Sequence, residues 1–352
     1  MAIQNELLGS LCKICENVTS TLDYTEALNL LVKNAAKYLG AKASSIRMLD
    51  KTGTNLEIVA TYGLSEIYLG KGAVEVEKSI IDKLALTGEI VQIKDVSGDE
   101  RVQYPEEAER EGIKSVLFLP LKYKGRAIGV LRIYMQKEHV FSESEVAFIS
   151  AVATQGTITI KNAQRYKRLK SFYKLGKVIT SELKSLRVLE LICRSASDDL
   201  KAIGAAIMML DHESGVLTVV SSVGLKESFL AKGPVEADKS IKSCLKGRTI
   251  VIEDTSMDKR IQYRDQTMKE GIKSIICIPL MLKEKVIGTL RVYTGYRYKE
   301  DEEDMEFLSI LADFGTIAIE NARLYEHIEK EYEELTKDVW KWYDWGERAP
   351  RI

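Results

Sequence analysis

An arginine and a tyrosine alternate with apolar residues in the segment GVLRIY, in which Arg132 and Tyr134 lie two positions apart. The segment GTLRVY repeats this arrangement with Arg291 and Tyr293. Because successive side chains of a strand lie on opposite faces, each pair should share one face of a sheet. A guanidinium among apolar side chains needs an anionic partner. That partner is either a carboxylate of the same domain or an anionic small molecule bound in a cavity.

Two polar loops supply the carboxylates that the first alternative requires. The segment KDVSGDERVQY contains Asp95 and Asp99, and its counterpart EDTSMDKRIQY contains Asp254 and Asp258. An aspartate and an arginine at this spacing can equally fasten such a loop to itself. Both alternatives therefore stay open. The candidate ligand-binding residues are Asp95, Arg101, Tyr104, Arg132, Tyr134, Asp254, Arg260, Tyr263, Arg291 and Tyr293.

Other motifs that could carry chemistry are weaker. Cys12 and Cys15 form a CKIC motif, and two thiols three residues apart on a helix can share a metal or redox role. The second copy of this segment has Tyr173 and Gly176 instead, and no second CxxC motif supplies further ligands. Core packing or a helix interface is therefore the favoured role of the pair. The sequence contains no GxSxG, HExxH or Cys-His arrangement, so it predicts neither an enzyme nor a metal site.

The elements that position these residues occur twice. EGIKSVLFLPL at 111–121 returns as EGIKSIICIPL at 270–280. The halves align at a shift of 161 residues up to a contraction near Gly88 and Gly247, and at a shift of 159 after it. Because this period is much longer than that of solenoid repeats, each copy should be a complete domain with its own core. We predict a first domain at 1–165, a second domain at 166–330 and a tail at 331–352.

Within one copy, hairpins alternate with helices. SSIRMLD and NLEIVATYG flank a glycine-containing turn, as do SVLFLPLKY and RAIGVLRIYM, which predicts two β-hairpins. Hairpins imply an antiparallel sheet with helices packed on it, and hence an α+β fold. Gly129 and Gly288 should permit close packing within the sheet. Ser142 followed by Glu145 predicts the capping box of a long helix, which should join the two copies as a stiff rod.

Charge and hydropathy exclude several classes of partner. The 51 Lys and Arg residues nearly cancel the 52 Asp and Glu residues, so the chain lacks a net field that would attract nucleic acid or an anionic membrane. No apolar run approaches the roughly 18 residues that span a bilayer, and the first residues lack a signal-peptide pattern. The odd number of cysteines, five, favours reduced thiols. We therefore expect a cytoplasmic globular protein.

The order of elements and several phrases resemble the GAF domain. The first copy contains DVSGDERVQY, EGIKSVLFLPL, GVLRIY and FSESEVAFISAVATQGTITIKNAQRY. The second copy contains DTSMDKRIQY, EGIKSIICIPL, GTLRVY and DMEFLSILADFGTIAIENARLYE. Since the resemblance covers both copies and almost the whole chain, the sequence is identified as a tandem GAF protein. The resemblance implies two six-stranded antiparallel sheets, each with helices on both faces and a ligand cavity that the polar loops cover.

The resemblance also implies a sensory role in signalling. GAF domains bind small molecules such as cyclic nucleotides, tetrapyrroles or metabolites and are usually fused to an output domain, whereas this sequence is expected to be a stand-alone module. Members that bind cyclic nucleotides carry an Asn-Lys…Phe…Asp-Glu motif. Lys137 and Phe141 fit that motif, but Gln136 and Val146 depart from it, so this ligand is not supported. The ligand and any cofactor stay unknown.

Three functions are compatible with the resemblance. The favoured one is a sensor that binds a small anionic ligand and regulates a separate partner, such as a kinase or another regulator. The second is a dimerisation scaffold whose cavities are filled by its own side chains. The third is a thiol enzyme such as a GAF-type methionine sulfoxide reductase, in which Cys244 or Cys277 would act.

Two surfaces are expected to mediate association. Terminal helices of GAF domains often dimerise, so the resemblance implies a homodimer through the helices predicted at 1–20, 145–183 and 303–338. The tail has an unusual crowd of aromatic residues at Trp340, Trp342 and Trp345. Such side chains should be buried, either against a partner protein or against the chain itself.

Overall fold

The structure, a computed structural model, describes residues 24–70, 72–181, 185–233, 235–236 and 243–347. The chain separates into two compact units, Met1–Lys167 and Arg168–Ile352, and each unit contains one six-stranded antiparallel sheet. The predicted α+β fold is thereby confirmed. Cys12, Cys15 and the helix predicted at 1–20 lie outside the described residues.

The first domain is built around two hairpins that meet in the centre of its sheet. The strand order is β3-β2-β1-β6-β5-β4, and every neighbouring pair is antiparallel. Its helices and strands are α1 (Tyr24–Tyr38), β1 (Ala43–Leu49), β2 (Asn55–Tyr62), α2 (Glu66–Leu69), β3 (Val74–Glu75), α3 (Ile80–Thr87), β4 (Val91–Ile93), α4 (Pro105–Arg110), β5 (Ser115–Tyr123), β6 (Arg126–Met135) and α5 (Glu143–Ser181). Helix α5 continues from the first unit into the second.

The second domain repeats this order. Its sheet runs β10-β11-β12-β7-β8-β9, which is the same arrangement of strands in the opposite direction of counting. Its helices and strands are α6 (Ser185–Asp199), β7 (Gly204–Leu210), β8 (Val216–Val223), α7 (Glu227–Leu230), β9 (Val235–Glu236), β10 (Ile250–Ile252), α8 (Arg264–Lys269), β11 (Ser274–Leu282), β12 (Lys285–Thr294) and α9 (Glu302–Glu347). A single 3₁₀ turn, Cys244–Lys246, precedes β10.

Local hydrogen bonds set the ends of the helices that matter most for the site. Ser79 caps α3 by accepting a hydrogen bond at Oγ from the backbone N–H of Asp82, and Gly88 ends the helix with a φ of 105°. The predicted capping box of α5 is present. The backbone N–H of Ser142 donates to Glu145 at 2.7 Å, and Ser142 Oγ accepts from the N–H of Glu145 at 3.3 Å.

Each sheet has apolar side chains packed on both faces. On one face of the first sheet, Leu28 and Leu31 of α1 and Phe148 of α5 pack with residues such as Leu131. On the other face, Tyr68, Ile81, Phe118 and Tyr134 form a separate cluster beneath α2, α3 and the polar loop. Because strand residues alternate between faces, Arg132 and Tyr134 lie on this second face, as the sequence predicted. The cavity described below lies within this second cluster.

Gly129 brings β6 close to β1. A Cβ atom at this position would lie 2.3 Å from the carbonyl oxygen of Arg47, and Gly288 meets the carbonyl oxygen of Met208 in the same way at 2.4 Å. Backbone atoms cannot move aside as a flexible side chain can. The predicted close packing at Gly129 and Gly288 is therefore a steric requirement of the central strand pair.

We expect Gly129→Ala to lower the free energy of unfolding of the first domain by about 1–3 kcal/mol, as overpacking of a core does. Gly98→Ala is the matched control, since its Cβ would have no atom within 4 Å and its φ is not positive. Urea unfolding followed by hydrogen-exchange mass spectrometry reports each domain through its own peptides. Equal stability of the two variants would contradict the steric requirement.

Candidate functional site

Arg132 forms a buried ion pair with a residue that the sequence analysis did not propose. Its Nη2 donates to Asp82 Oδ1 at 2.6 Å, and the two side chains are only 5% and 2% exposed. Ser79 Oγ donates to the second oxygen, Oδ2, at 2.6 Å. Burial by itself would lower the pKa of Arg132, but the Asp82 carboxylate raises it above its ordinary value. The suggestion that Asp95 or Asp99 neutralises Arg132 is therefore wrong.

A second arginine, Arg47 of β1, lies buried on the same face. Its Nη1 donates to the carbonyl oxygen of Leu56 at 3.4 Å, and its Nε and Nη2 have no hydrogen-bond partner among the described residues. Burial, and then the charge of Arg132, lower the pKa of Arg47. The first domain thus buries two guanidiniums beside one carboxylate, Asp82. The sequence signal for Arg47 was the same as for Arg132, an arginine within an apolar strand, SSIRML.

Tyr134 completes this polar group. Its hydroxyl lies 3.0 Å from Ser45 Oγ, and its ring meets the Tyr68 ring edge to face at 6.1 Å. Arg132 lies over the Phe118 ring, with Cζ 5.1 Å from the ring centroid. Neighbouring side chains of the same domain therefore hold Arg132 and Tyr134 in place.

The cavity of the first domain is small and contains its own counter-ion. It has a volume of about 40 Å³, and its described lining includes Asp82, Tyr104, Arg132 and Tyr134. At about 10–15 Å³ for one water molecule, this space holds about three waters. Because Asp82 already neutralises Arg132 there, an anionic ligand would have to compete with an internal carboxylate.

The loop carboxylates fasten their own loops. Asp95 accepts hydrogen bonds from the backbone N–H and Oγ of Ser97, which lower its pKa. Asp99 accepts two hydrogen bonds from the guanidinium of Arg101. Asp95 and Arg101 are absent from the described lining of the cavity, whereas Tyr104 belongs to it. In the first domain, Asp95, Asp99 and Arg101 thus make their hydrogen bonds within the loop itself, as the second alternative of the sequence analysis expected.

The second domain repeats the loop contacts. Asp254 accepts from the backbone N–H and Oγ of Ser256, and it also pairs with Arg297. Asp258 accepts from Arg260 Nε at 2.9 Å and from its Nη2 at 2.5 Å. Arg260 nevertheless lines the cavity of this domain, unlike its counterpart in the first domain.

The cavity of the second domain has the same volume, about 40 Å³, but a different charge pattern. Arg291 is buried at 6% exposure, and its Nε and Nη2 have no hydrogen-bond partner among the described residues. The segment SIIDKLALTG that contributes Asp82 is replaced in the second copy by SIKSCLKG, which has no acidic residue. The described lining contains no carboxylate; its polar and charged side chains include Lys232, Arg260, Tyr263, Cys277, Arg291 and Tyr293.

Lys232, which was not among the candidate ligand-binding residues, also lines this cavity. Its Nζ lies 3.2 Å from the centroid of the Phe229 ring. Burial and the charge of Arg291 lower the pKa of Lys232 to about 7. Lys232 and Arg291 therefore both line the cavity and lie close enough for their charges to interact. A single Lys-Gly pair in the sequence carries too little information to identify such a residue.

A pair of thiols replaces the aromatic ring beside the arginine. Cys277 of β11 lies directly opposite Arg291 of β12, as Phe118 lies opposite Arg132. The Sγ atoms of Cys277 and Cys244 are 3.4 Å apart, and both residues are buried. Burial by itself would raise the pKa of Cys277, but the Cys244 thiol and the Arg291 charge lower it below its ordinary value.

The remaining candidate sites were a tail, metal ligands and membrane segments. Trp340, Trp342 and Trp345 fall within α9. In the described part of the chain, no group of three or more His, Cys, Asp or Glu side chains is placed to hold a metal ion. Among the described helices, none combines the length and the apolar character needed to cross a membrane.

Comparison with known proteins agrees with the duplication. A family model described as the GAF domain matches residues 21–161 and 186–320. The chain is 21% identical over 366 residues to the dual 3',5'-cyclic-AMP and -GMP phosphodiesterase 11A of Takifugu rubripes, which covers 91% of this chain and 40% of that protein. It is 24% identical over 164 residues to the nitrogen fixation protein VnfA of Azotobacter vinelandii, over 45% of this chain and 31% of that protein. The chain thus spans less than half the length of these curated relatives.

Two solved structures match parts of this chain. The GAF domain of an Acinetobacter phosphoenolpyruvate-protein phosphotransferase is 25% identical and matches 46% of this chain and 96% of its own, with a TM-score of 0.41. The bacteriophytochrome RpBphP3 of R. palustris is 10% identical and matches 90% of this chain and 75% of its own, with a TM-score of 0.58. At such low identity, the second likeness concerns the fold alone.

We expect Asp82→Asn to lower the free energy of unfolding of the first domain by about 3–5 kcal/mol, because Arg132 and Arg47 would remain buried without a carboxylate. Asp99→Asn is the control, since it removes one partner of a largely exposed loop pair that contributes no more than about 1 kcal/mol. Peptide-resolved hydrogen exchange in increasing urea measures the free energy of unfolding of the first domain in both variants. A loss of similar size in the two variants would show that Asp82 is not the required counter-ion.

Proposed function

The chain belongs to the GAF domain family, and from this membership we propose that it is a small-molecule-sensing signal-transduction module whose second domain binds a small anionic ligand. The proposal assigns the ligand to the cavity that contains Arg291, Lys232 and Tyr263. It assigns the output to helices α5 and α9, which would pair with a second copy of the chain and act on a separate protein such as a kinase or regulator.

The observation that carries the proposal is the burial of Arg291 in a cavity whose described lining contains no carboxylate. A guanidinium at 6% exposure, with two nitrogens lacking a partner among the described residues, has lost its hydration without a matching set of acceptors. Lys232 lines the same cavity, and a bound anion would favour its charged form over the neutral form that burial beside Arg291 favours. A carboxylate or phosphate group would supply the missing charge and could accept a forked pair of hydrogen bonds from Arg291.

The size of the cavity limits the ligand. A volume of about 40 Å³ has room for a compact anion, whereas pockets that enclose drug-sized molecules have about 300–1,000 Å³. A larger ligand such as a nucleotide would require the covering loop of Ile261 and Tyr263 to move. We therefore favour a compact carboxylate or phosphate compound as the ligand.

The first domain favours the scaffold alternative for its own cavity. Asp82, bonded to both Ser79 and Arg132, is the internal counter-ion that a cavity without a ligand is expected to have. We propose a division of labour in which the first domain contributes mainly to architecture and association. The ligand-dependent change would then arise in the second domain.

The terminal helices carry matching exposed apolar stripes. In α5, Tyr166, Leu169 and Tyr173 are 69%, 63% and 72% exposed. In α9, the corresponding residues are Tyr325, Ile328 and Tyr332, at 51%, 60% and 71% exposure. The spacing of three and then four residues places each set on one helix face and matches the a and d positions of a coiled coil.

The α9 stripe supports a second copy of the chain as its occupant. The same spacing continues along the sequence through Leu335, Val339 and Trp342. A heptad pattern of this length is typical of a helix that pairs with an identical helix, because isolated apolar stripes on a charged helix are costly to expose. We therefore propose a homodimer through the long helices.

A partly buried arginine, Arg168, connects both long helices within the second domain. Arg168 of α5 donates to Asp199 of α6 at 2.7 Å and to the carbonyl oxygen of Glu303 at 2.7 Å, and it also pairs with Asp304 of α9. The Cζ atom of Arg168 also lies 4.9 Å from the centroid of the Phe307 ring. These contacts join the middle of α5 and the start of α9 within the second domain, which supports the two helices as the output.

We expect Arg291→Gln to weaken anion binding by about 10–100-fold, since a charge-assisted hydrogen bond contributes about 1.5–3 kcal/mol and each 1.4 kcal/mol is tenfold. Native mass spectrometry beside a denatured control detects any retained compound, and calorimetric titration with phosphate and with acetate measures affinity. Arg297→Gln is the control, because this arginine is exposed and pairs with Asp254 outside the cavity. Equal binding by both variants, or no retained mass and no binding heat with the intact protein, would favour the scaffold instead.

We expect Ile328→Glu to convert a dimer into a monomer, because a carboxylate at a d position of the seam would be buried without a partner. Lys330→Glu is the control, since Lys330 is exposed on the outward face of the same helix. Sedimentation velocity distinguishes the two masses. A wild-type monomer, or an Ile328→Glu dimer of unchanged stability, would contradict pairing through this stripe.

A further inference from the structure

Two buried cysteines in the second domain form a pair that the anion-binding proposal does not use. Cys277 lies in the interior strand β11 and Cys244 in the 3₁₀ turn before β10, and both are almost fully buried, at 2% and 0% exposure. Their sulfur atoms are 3.4 Å apart. The third described cysteine, Cys193, donates instead to the carbonyl oxygen of Ser221 at 3.8 Å.

We propose that Cys244 and Cys277 are a redox-active dithiol that a hydroperoxide oxidises reversibly to an intramolecular disulfide. A disulfide has an S–S bond of about 2.05 Å, so the two sulfurs, now 3.4 Å apart, need to approach each other by about 1.4 Å. The 3₁₀ turn that carries Cys244 is a short surface-proximal element and can supply this movement more readily than strand β11. The close approach of the two sulfur atoms is independent of any anion bound in the cavity.

The surroundings favour Cys277 as the sulfur that reacts first. It lies directly opposite Arg291 in the sheet and belongs to the lining of the cavity, whereas Cys244 does not. A thiolate beside a guanidinium is stabilised, and the thiolate is the nucleophilic form. The cavity, at about 40 Å³, has room for hydrogen peroxide, which is only slightly larger than water.

The reaction balances with one peroxide. The Cys277 thiolate attacks one oxygen of hydrogen peroxide, the O–O bond breaks, and the hydroxide that leaves takes up a proton to become water. Cys277 is then a sulfenic acid. The Cys244 sulfur attacks the Cys277 sulfur, the S–O bond breaks, and the second hydroxide leaves as water with the proton lost by Cys244. Two thiols and one peroxide thus yield one disulfide and two water molecules, and a reducing thiol reverses the change.

The first domain lacks this chemistry at the equivalent place. Phe118 occupies the position of Cys277, and the segment SIIDKLALTG contains no cysteine. The two domains therefore differ around their central arginines in charge and in redox chemistry together. Oxidation would link the 3₁₀ turn to β11 and close a loop of the chain beside the cavity, which makes the second domain sensitive to peroxide as well as to its ligand.

Peptide mapping of the intact folded chain tests the pair. After brief treatment with equimolar hydrogen peroxide, alkylation of free thiols and trypsin digestion, we expect the peptides SCLK and SIICIPLMLK to be joined by a disulfide. The link should disappear on reduction with dithiothreitol. Burial raises the pKa of Cys193 to about 12, so this thiol should escape oxidation and be recovered in its alkylated form. Recovery of Cys244 and Cys277 as free alkylated thiols, or as separate over-oxidised peptides, would overturn the proposal.

Two variants test whether the disulfide forms only because the thiols are close or also because Arg291 activates Cys277. Cys193→Ser should form the link at the rate of the intact chain, with retained circular dichroism as the check on folding. Arg291→Gln should form it about tenfold more slowly at neutral pH, and the difference should vanish at a pH at which the Cys277 thiol is ionised in both proteins. An unchanged rate in Arg291→Gln at neutral pH would overturn the role of Cys277 as the activated thiol. Because this readout follows sulfur and not anion binding, it can succeed or fail independently of the proposed function.

Discussion

The burial of an arginine on the cavity face of each sheet is the constraint on which the rest of both sites depends. A guanidinium removed from water must recover its lost hydration from acceptors or from an opposite charge. In the first domain, α3 is capped so that Asp82 comes within 2.6 Å of Arg132. In the second domain, the corresponding segment lacks an acid, and Arg291 faces Lys232 and two thiols. One structural problem therefore has two chemical solutions in one chain.

Duplication explains why the two solutions can be compared so directly. The requirements of the fold are the same in both copies: Gly129 and Gly288 both meet a backbone carbonyl of the neighbouring strand, and the two sheets share one strand order. A side chain at either glycine would crowd the central strand pair and destabilise it. The residues around the arginine are under no such steric constraint, since a change from an aspartate or a phenylalanine leaves the backbone ladder intact. The copies can therefore differ on the cavity face, where the observed differences alter charge and reactivity.

Much of the fold was predictable from the sequence because it depends on local patterns. Alternating strands around glycine turns predicted the hairpins, and Ser142 with Glu145 predicted the start of α5, since each signal spans only a few residues. The placement of Arg132 and Tyr134 on one face followed from the period of a strand. The partner of Arg132 was not predictable in this way. Asp82 lies 50 residues away in a helix, and its approach depends on how that helix packs over the sheet.

The same limit applied to the loops and to the second cavity. Asp95 and Asp99 were suggested as partners because they lie in polar loops, yet each bonds to a residue two positions away, Ser97 and Arg101. These local hydrogen bonds occupy both carboxylates, so neither is available to pair with Arg132. Arg47, Lys232 and the contact between Cys244 and Cys277 depend on tertiary packing, which brings together residues that no short sequence window contains.

One partly buried arginine joins the two long helices in the second domain. Arg168 contacts Asp199, Asp304 and the carbonyl oxygen of Glu303, so that it joins α5, α6 and α9 at one point in the second domain. Breaking either ion pair of this partly buried cluster would leave a carboxylate without its arginine partner, so the cluster favours a fixed arrangement of the three helices. Under the proposed function, a ligand-dependent change would therefore move the helices together, and the exposed stripes of α5 and α9 would carry that movement to a second copy of the chain.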